Sequence, residues 1–159
     1  MTSLAQDVIG LLCRKGLTLG VVESATGGLI SHLITNVPGS SECYQGSITS
    51  YSNQAKTKIV GVSEDILSQY GAVSPDAAEE MARGGRHALA ADICVADTGI
   101  AGPGGATPEK PVGLFYIGLS HKDGTFSRKY VFTGTREENK HHAAETALSW
   151  VKEYLENLK

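Results

Sequence analysis

The sequence has no block of basic residues and no apolar run long enough to cross a membrane. A spanning helix needs about 18 to 20 consecutive apolar residues, and a nucleic-acid-binding surface shows as clustered lysine and arginine. Here 14 Lys and Arg stand against 17 Asp and Glu, which gives a formal net charge of −3. The composition therefore predicts neither a membrane nor a nucleic acid as a partner.

Cysteine and histidine lack the usual disulfide and metal patterns. The three cysteines, Cys13, Cys43 and Cys94, have no CxxC spacing, which is typical of reduced thiols in a cytoplasmic protein. The five histidines have no metal-ligand spacing, and neither a Gly-x-Ser-x-Gly motif nor a Walker loop is present. The N-terminus has no charged start followed by an apolar segment, so we expect no signal peptide. We predict a cytoplasmic protein without a metal ion or a cofactor.

Glycine, by contrast, is abundant, and helical and strand patterns alternate along the chain. Apolar spacing and cap residues predict strands over 17–22, 46–51, 92–97, 114–120 and 125–133, with helices between them. A short helix is expected over 42–45, after Ser40 and Ser41. The expected fold is a single α/β domain over residues 1–159. It would be a three-layer α/β/α sandwich with a mixed, mostly parallel sheet of about five strands.

Two glycine-containing loops follow predicted strands. Glu23 to Gly28 joins a strand to a helix through small residues, an arrangement that can aim backbone N–H groups at an anion. The segment 98–113 has three prolines and five glycines, and long irregular loops of this kind usually have a function. Ligands bind beyond the carboxyl ends of parallel strands. We therefore expect the two loops to share one edge of the sheet.

The segment 37–58 is rich in hydroxyl groups and ends with Lys56 and Lys58. A hydroxyl nucleophile activated by a lysine can attack an acyl carbon without histidine. The alternative is structural, because serines commonly cap helices and form turns. The residue pattern alone leaves both interpretations open.

Five motifs in this order resemble the CinA C-terminal family, which includes the nicotinamide-nucleotide amidohydrolases. They are Glu23-Ser-Ala-Thr-Gly-Gly28, Val37-Pro-Gly-Ser-Ser41, Ser50-Tyr-Ser-Asn-Gln-Ala-Lys56, Tyr70-Gly-Ala-Val-Ser74, and Thr98-Gly-Ile-Ala-Gly-Pro-Gly-Gly105 with Glu109-Lys-Pro-Val-Gly113. The resemblance implies the stand-alone form of the family. Its reaction would be hydrolysis of the carboxamide of nicotinamide mononucleotide to nicotinate mononucleotide and ammonia, in pyridine-nucleotide recycling. Ala25 departs from the family, since many members carry Cys there.

The resemblance also implies roles for particular residues. Ser41 would be the nucleophile, Lys56 its base and Tyr51 a supporting group, with no metal. The residues implied to bind substrate are Ser24, Thr26, Gly27, Gly28, Thr98, Gly99, Gly102 and Arg136. A straight strand over 46–51 would span about 20 Å and separate Ser41 from Lys56. The pair therefore requires a chain reversal at 41–45 or a second subunit, with Lys110 as a fallback base.

Two further expectations concern assembly and function class. A symmetric homodimer is the default assembly for such a domain. The alternative to the amidohydrolase is a non-catalytic nucleotide-binding module that acts through a partner.

Overall fold

A five-stranded mixed sheet forms the centre of the computed structural model, which describes all residues from 1 to 159. The strands are β1 Leu19–Glu23, β2 Tyr44–Thr49, β3 Ile93–Gly99, β4 Leu114–His121 and β5 Gly124–Val131, in the spatial order β2-β1-β3-β4-β5. β1 pairs in parallel with β2 and β3, whereas β4 is antiparallel to β3 and β5. Only β4 therefore runs against the other four strands, and the predicted mostly parallel sheet is confirmed.

Six helices cover the two faces of this sheet. They are α1 Leu4–Lys15, α2 Leu29–Thr35, α3 Asn53–Val60, α4 Glu64–Tyr70, α5 Pro75–Ala88 and α6 Arg136–Glu156. The larger core joins α1, α2 and α6 to one face, through side chains such as Leu12, Ile34 and Leu148. The smaller core joins α3 and α5 to the other face through Val60 and Met81. The predicted three-layer sandwich is confirmed.

The helix that carries Lys56 begins and ends at residues that favour those positions. The Ser52 side chain accepts a hydrogen bond from the N–H of Ala55, at 3.0 Å, and caps α3. Gly61 ends the helix in the left-handed conformation, with φ of 74°. Lys56 and Val60 are four residues apart and share the buried face of α3.

The second strand begins earlier than the sequence predicts. Residues Ser40–Glu42 form a short 3₁₀ helix, and β2 already begins at Tyr44, which pairs with Leu19 of β1. The predicted helix over 42–45 is therefore wrong, because pairing with β1 extends the strand toward its N-terminus. β2 also ends at Thr49, so Tyr51 lies beyond the strand.

The loops after β1 and β3 lie at the same edge of the sheet, as predicted. The backbone N–H groups of Ser24 and Thr26 donate to the carboxylate of Asp97, at 3.1 and 3.2 Å. This edge holds the candidate site described next. None of the six helices is long and apolar enough to span a membrane.

Candidate active site

Lys56 is buried, with only 1% of its surface exposed, although lysine is rarely found inside a protein. Its Nζ lies 3.0 Å from Ser24 Oγ, 3.0 Å from the carbonyl oxygen of Ser50 and 2.9 Å from that of Tyr51. No carboxylate forms an ion pair with this amine. The lysine is therefore held by two backbone carbonyls and one hydroxyl.

This set of partners can hold either form of the amine. The ammonium would donate to all three oxygens, whereas a neutral amine would donate its two hydrogens to the carbonyl oxygens and turn its lone pair to the hydroxyl of Ser24. Burial lowers the pKa of Lys56, because the charged form loses its hydration, while the negative charge of Asp97 acts in the opposite direction. Burial thus favours a lysine that can accept a proton from Ser24, and the geometry accommodates it.

Ser24 is held rigidly at the end of β1. The residue is 7% exposed, and its N–H is fixed by Asp97 on the neighbouring strand β3. Its hydroxyl lies at a pocket of about 240 Å³. Strand β1 and helix α3 therefore present one hydroxyl and one amine to the same small pocket.

Two buried carboxylates lie beneath this pocket, and one hydroxyl joins them. Thr26 Oγ1 lies 2.7 Å from Glu23 Oε1 and also contacts Asp97. Burial raises the pKa of Asp97 to about 6, although the hydrogen bonds from Thr26 and Ser24 lower it. A single hydroxyl proton cannot serve two carboxylates at once. A proton retained on Asp97 in mildly acidic solution would complete this network.

The carboxylate of Glu23 occupies the backbone N–H groups at the start of α2. Its carboxylate accepts the N–H groups of Gly28, Ile30 and Ser31, at 3.2, 2.8 and 3.1 Å. The first turn of α2 is therefore bound to the protein's own carboxylate. The N–H groups of Gly28, Ile30 and Ser31 therefore face an internal carboxylate and not a ligand anion.

One N–H group beside Ser24 has no acceptor in the protein. The N–H of Ala25 makes no backbone or side-chain hydrogen bond, and Ala25 lines the 240 Å³ pocket. In several acyl-transfer enzymes, the N–H of the residue after the nucleophile stabilises the oxyanion. Ala25 occupies the corresponding position relative to Ser24.

A second, larger cavity of about 580 Å³ adjoins the first, and both are lined by Arg136. Its lining contains four basic or potentially basic side chains and one acidic side chain, namely His32, Arg136, Lys140, His141 and Glu137. Arg136 Nη1 donates to the carbonyl oxygen of Gly102, at 2.7 Å, which ties the start of α6 to the loop after β3. The two cavities together form a small pocket lined by Ser24 and Lys56 and a larger, mainly basic cavity beside it.

The structure does not bring Ser41 to Lys56 within one chain. Ser41 is exposed in the 3₁₀ helix before β2, whereas Lys56 lies after β2, and the intervening strand has six residues. Six strand residues span about 20 Å. The chain does not reverse at 41–45, so Ser24, and not Ser41, occupies the position next to the amine.

Several of the other predicted site residues line the pocket of about 240 Å³, some with the side chain and some with the backbone. Tyr51 lines it with its side chain 62% exposed, and its backbone oxygen accepts from Lys56. Thr98 and Gly99 also line the pocket, and the hydroxyl of Thr98 donates to the carbonyl oxygen of Ala72 at 2.7 Å. Lys110, the fallback base for Ser41, donates to the carbonyl oxygen of Tyr70.

The predicted residues of the β1–α2 loop line the larger cavity. Thr26, Gly27 and Gly28 lie on its wall together with Arg136. The structure therefore divides the expected substrate-binding residues between two adjoining cavities, except Gly102, which lines neither and accepts a hydrogen bond from Arg136.

A family model described as the CinA C-terminal domain matches residues 1–155. The chain belongs to the CinA C-terminal domain family. It is 46% identical over 156 residues to a CinA-like protein from Syntrophotalea carbinolica, an alignment that covers 98% of this chain and 38% of the relative. The CinA C-terminal domain thus spans well under half the length of this relative.

Solved structures of the CinA superfamily have the same fold. The competence/damage inducible protein CihA from Agrobacterium tumefaciens superposes with a TM-score of 0.93 at 35% identity, over 97% of this chain and 94% of that one. A CinA superfamily protein from Klebsiella pneumoniae superposes with a TM-score of 0.94 at 26% identity, over 98% and 97% of the two chains. Family membership and fold therefore agree.

Sequence reasoning assigned Ser24 to substrate binding and did not pair it with Lys56. It also gave no role to Glu23, Asp97 or Lys140. One signal was present in the sequence: Ser24 and Lys56 both lie shortly after predicted strands of a mostly parallel sheet. Residues that follow parallel strands lie at the same edge of the sheet.

Proposed function

We propose that this CinA C-terminal domain is an amidohydrolase that hydrolyses the carboxamide of nicotinamide mononucleotide, with Ser24 as nucleophile and Lys56 as base. The observation that carries the proposal is the 3.0 Å approach of the buried Lys56 Nζ to Ser24 Oγ. Two backbone carbonyls orient this amine, and burial lowers its pKa. A serine and a neutral lysine in contact form a recognised nucleophile–base pair for acyl transfer.

The proposed reaction has two halves. Ser24 Oγ attacks the carboxamide carbon while Lys56 accepts the hydroxyl proton, and the N–H of Ala25 stabilises the oxyanion. Lys56 then returns the proton to the leaving nitrogen, and ammonia departs to leave an ester on Ser24. Water, deprotonated by Lys56, cleaves the ester and releases nicotinate mononucleotide.

The charge of the substrate fits the two cavities. The pyridinium ring of nicotinamide mononucleotide is positively charged and would further disfavour the protonated form of a lysine beside it. Tyr51, exposed at the pocket, offers an aromatic face to this ring. The phosphate at the other end of the nucleotide suits the cavity lined by Arg136 and Lys140, where its charge would be paired.

The decisive measurement is ammonia release across a panel of pyridine nucleotides. We expect turnover of nicotinamide mononucleotide by the wild type, and its loss in Ser24→Ala and Lys56→Met variants whose circular dichroism shows that they are folded. Ser149→Ala, on the exposed side of α6, is the matched control and should retain activity.

Two results would count against this assignment. Nucleotide-dependent thermal stabilisation without any ammonia would favour a non-catalytic binding module. Loss of activity in Ser41→Ala, with retention in Ser24→Ala, would return the nucleophile to Ser41 and would require a second copy of the chain to bring it to Lys56.

A further inference from the structure

Cys13 and Cys43 form a close thiol pair on the far side of the domain from Lys56. Their Sγ atoms are 3.1 Å apart, about 1 Å more than a disulfide bond. Cys13 lies near the end of α1, and Cys43 lies between the 3₁₀ helix and β2. The third cysteine, Cys94, is buried in the other core and has no thiol partner.

The two thiols differ in their access to solvent. Cys13 is exposed, whereas only 3% of the surface of Cys43 is accessible. Burial and the neighbouring Cys13 raise the pKa of Cys43 to about 12, so this thiol stays protonated at neutral pH. Its Sγ also faces the carbonyl oxygen of Ile9, at 3.8 Å. An oxidant can therefore reach Cys13 first, and Cys43 stands directly behind it.

We propose that Cys13 and Cys43 are a redox-active pair that a hydroperoxide converts to an intramolecular disulfide. The Cys13 sulfur attacks the peroxide and becomes a sulfenic acid; the O–O bond breaks and water or an alcohol leaves. The Cys43 sulfur then attacks the Cys13 sulfur, the S–O bond breaks, and the hydroxyl departs as water with the Cys43 proton. The peroxide is reduced, the two thiols lose two electrons, and a thiol reductant restores them.

The geometry makes this bond an effective cross-link. The two residues are 30 positions apart, so the disulfide closes a loop that contains β1 and α2. A bond that closes such a loop restricts the unfolded chain and raises the midpoint of thermal unfolding. It also ties the turn that carries Ser41 to the end of α1. The pair of Ser24 and Lys56 lies at the other end of β2, so the cross-link leaves their contact intact.

The test compares the reduced protein with protein treated with a stoichiometric amount of hydrogen peroxide. We expect the loss of two hydrogen atoms per chain in the intact mass and a cross-linked peptide that joins Cys13 to Cys43. The midpoint of thermal unfolding should rise by about 5 °C or more. A thiol reductant should reverse both changes.

Variants separate the proposed pair from other oxidations. Cys13→Ser and Cys43→Ser should each abolish the mass change and the thermal shift, whereas Cys94→Ser should retain both. Oxygen addition at Cys13 without a cross-link would overturn the proposal. So would a disulfide between the Cys13 residues of two chains, or a cross-link that leaves the thermal midpoint unchanged.

Discussion

Replacing Asp97 with Asn tests the electrostatics of the site through the stability of the whole domain. The carboxyl group is completely buried, and burial raises its pKa to about 6, against the hydrogen bonds from Thr26 and Ser24. Between about pH 4 and about pH 6 the folded protein retains a proton that the unfolded chain has lost. This stabilisation is fully present below about pH 4 and is lost as the pH rises through about 6. The wild type should therefore lose stability over this range.

The size of the effect follows from the shift. A change in pKa from 3.8 to about 6 corresponds to about 3 kcal/mol, at about 1.36 kcal/mol per unit. The Asp97→Asn variant does not titrate at this position, so its stability lacks this slope. The side-chain amide nitrogen of the new Asn will also face the backbone N–H of Ser24 or of Thr26, and two donors cannot bond to each other. This mismatch lowers the free energy of unfolding by an amount that does not depend on pH. The quantity to compare is therefore how steeply the free energy of unfolding changes with pH, and not its absolute difference between the two proteins.

Urea unfolding of both proteins between about pH 4 and about pH 7 measures this slope. We expect the wild type to lose about 2 to 3 kcal/mol relative to Asp97→Asn over the range. Asp65→Asn is the matched control, since Asp65 is an exposed carboxylate in the first turn of α4, and its curve should run parallel to the wild type. Parallel curves for wild type and Asp97→Asn would refute the raised pKa of Asp97.

The same substitution should act on the base. Burial lowers the pKa of Lys56, and the charge of Asp97 opposes this effect. Removing that charge lowers the pKa of Lys56 further, so the acid limb of the kcat/KM profile should move to lower pH. An unchanged acid limb in an active Asp97→Asn enzyme would show that Lys56 is not the group that titrates there.

Three further substitutions and one control substitution probe the packing around the site and the larger, mainly basic cavity. In Gly84→Ala the new Cβ would clash with the carbonyl oxygen of Val60, so the free energy of unfolding measured in urea should fall by about 1–3 kcal/mol. The control is Gly104→Ala, where the new Cβ meets open space and the free energy of unfolding should hardly change. Thr26→Val removes the hydroxyl that joins the two buried carboxylates and should cost about 1–3 kcal/mol in the same assay. Lys140→Ala should raise KM for nicotinamide mononucleotide without lowering kcat, and an unchanged KM would place the phosphate elsewhere.

Local sequence signals predicted most of the fold because caps and apolar spacing act over a few residues. Ser52 and Gly61 bound α3, and Ser74 caps α5 with Pro75 at its first position, which are the residue types that favour these positions. The wrongly predicted helix over 42–45 has a different origin. The start of β2 depends on pairing with Leu19, a contact between distant segments that no local propensity encodes.

The candidate site was predictable in its segments but not in its central contact. The sequence indicated Lys56 and the loops after β1 and β3, and all three line the same pocket. The partner of Lys56 depends on register: Glu23 pairs with Thr49, which places the residues after both strands side by side. A shift of one residue would turn these side chains to the opposite face. The buried position of Lys56 likewise depends on how α3 packs against the sheet.

The direction of β2 decides between the two candidate serines, and a mixing experiment can test that decision. Ser24 follows β1 and Lys56 follows its parallel neighbour β2, so the two groups of one chain meet at the same edge of the sheet. Ser41 precedes β2, so it could reach Lys56 only in a second copy of the chain. If two copies share a site, mixing inactive Ser41→Ala and Lys56→Met chains would restore activity, because some assemblies would pair an intact Ser41 with an intact Lys56. If the pair lies within one chain, mixing Ser24→Ala with Lys56→Met restores nothing, because neither chain has both groups.

We expect no complementation from the Ser24→Ala mixture and an active Ser41→Ala variant. Recovery of ammonia release on mixing Ser24→Ala with Lys56→Met would overturn the single-chain assignment.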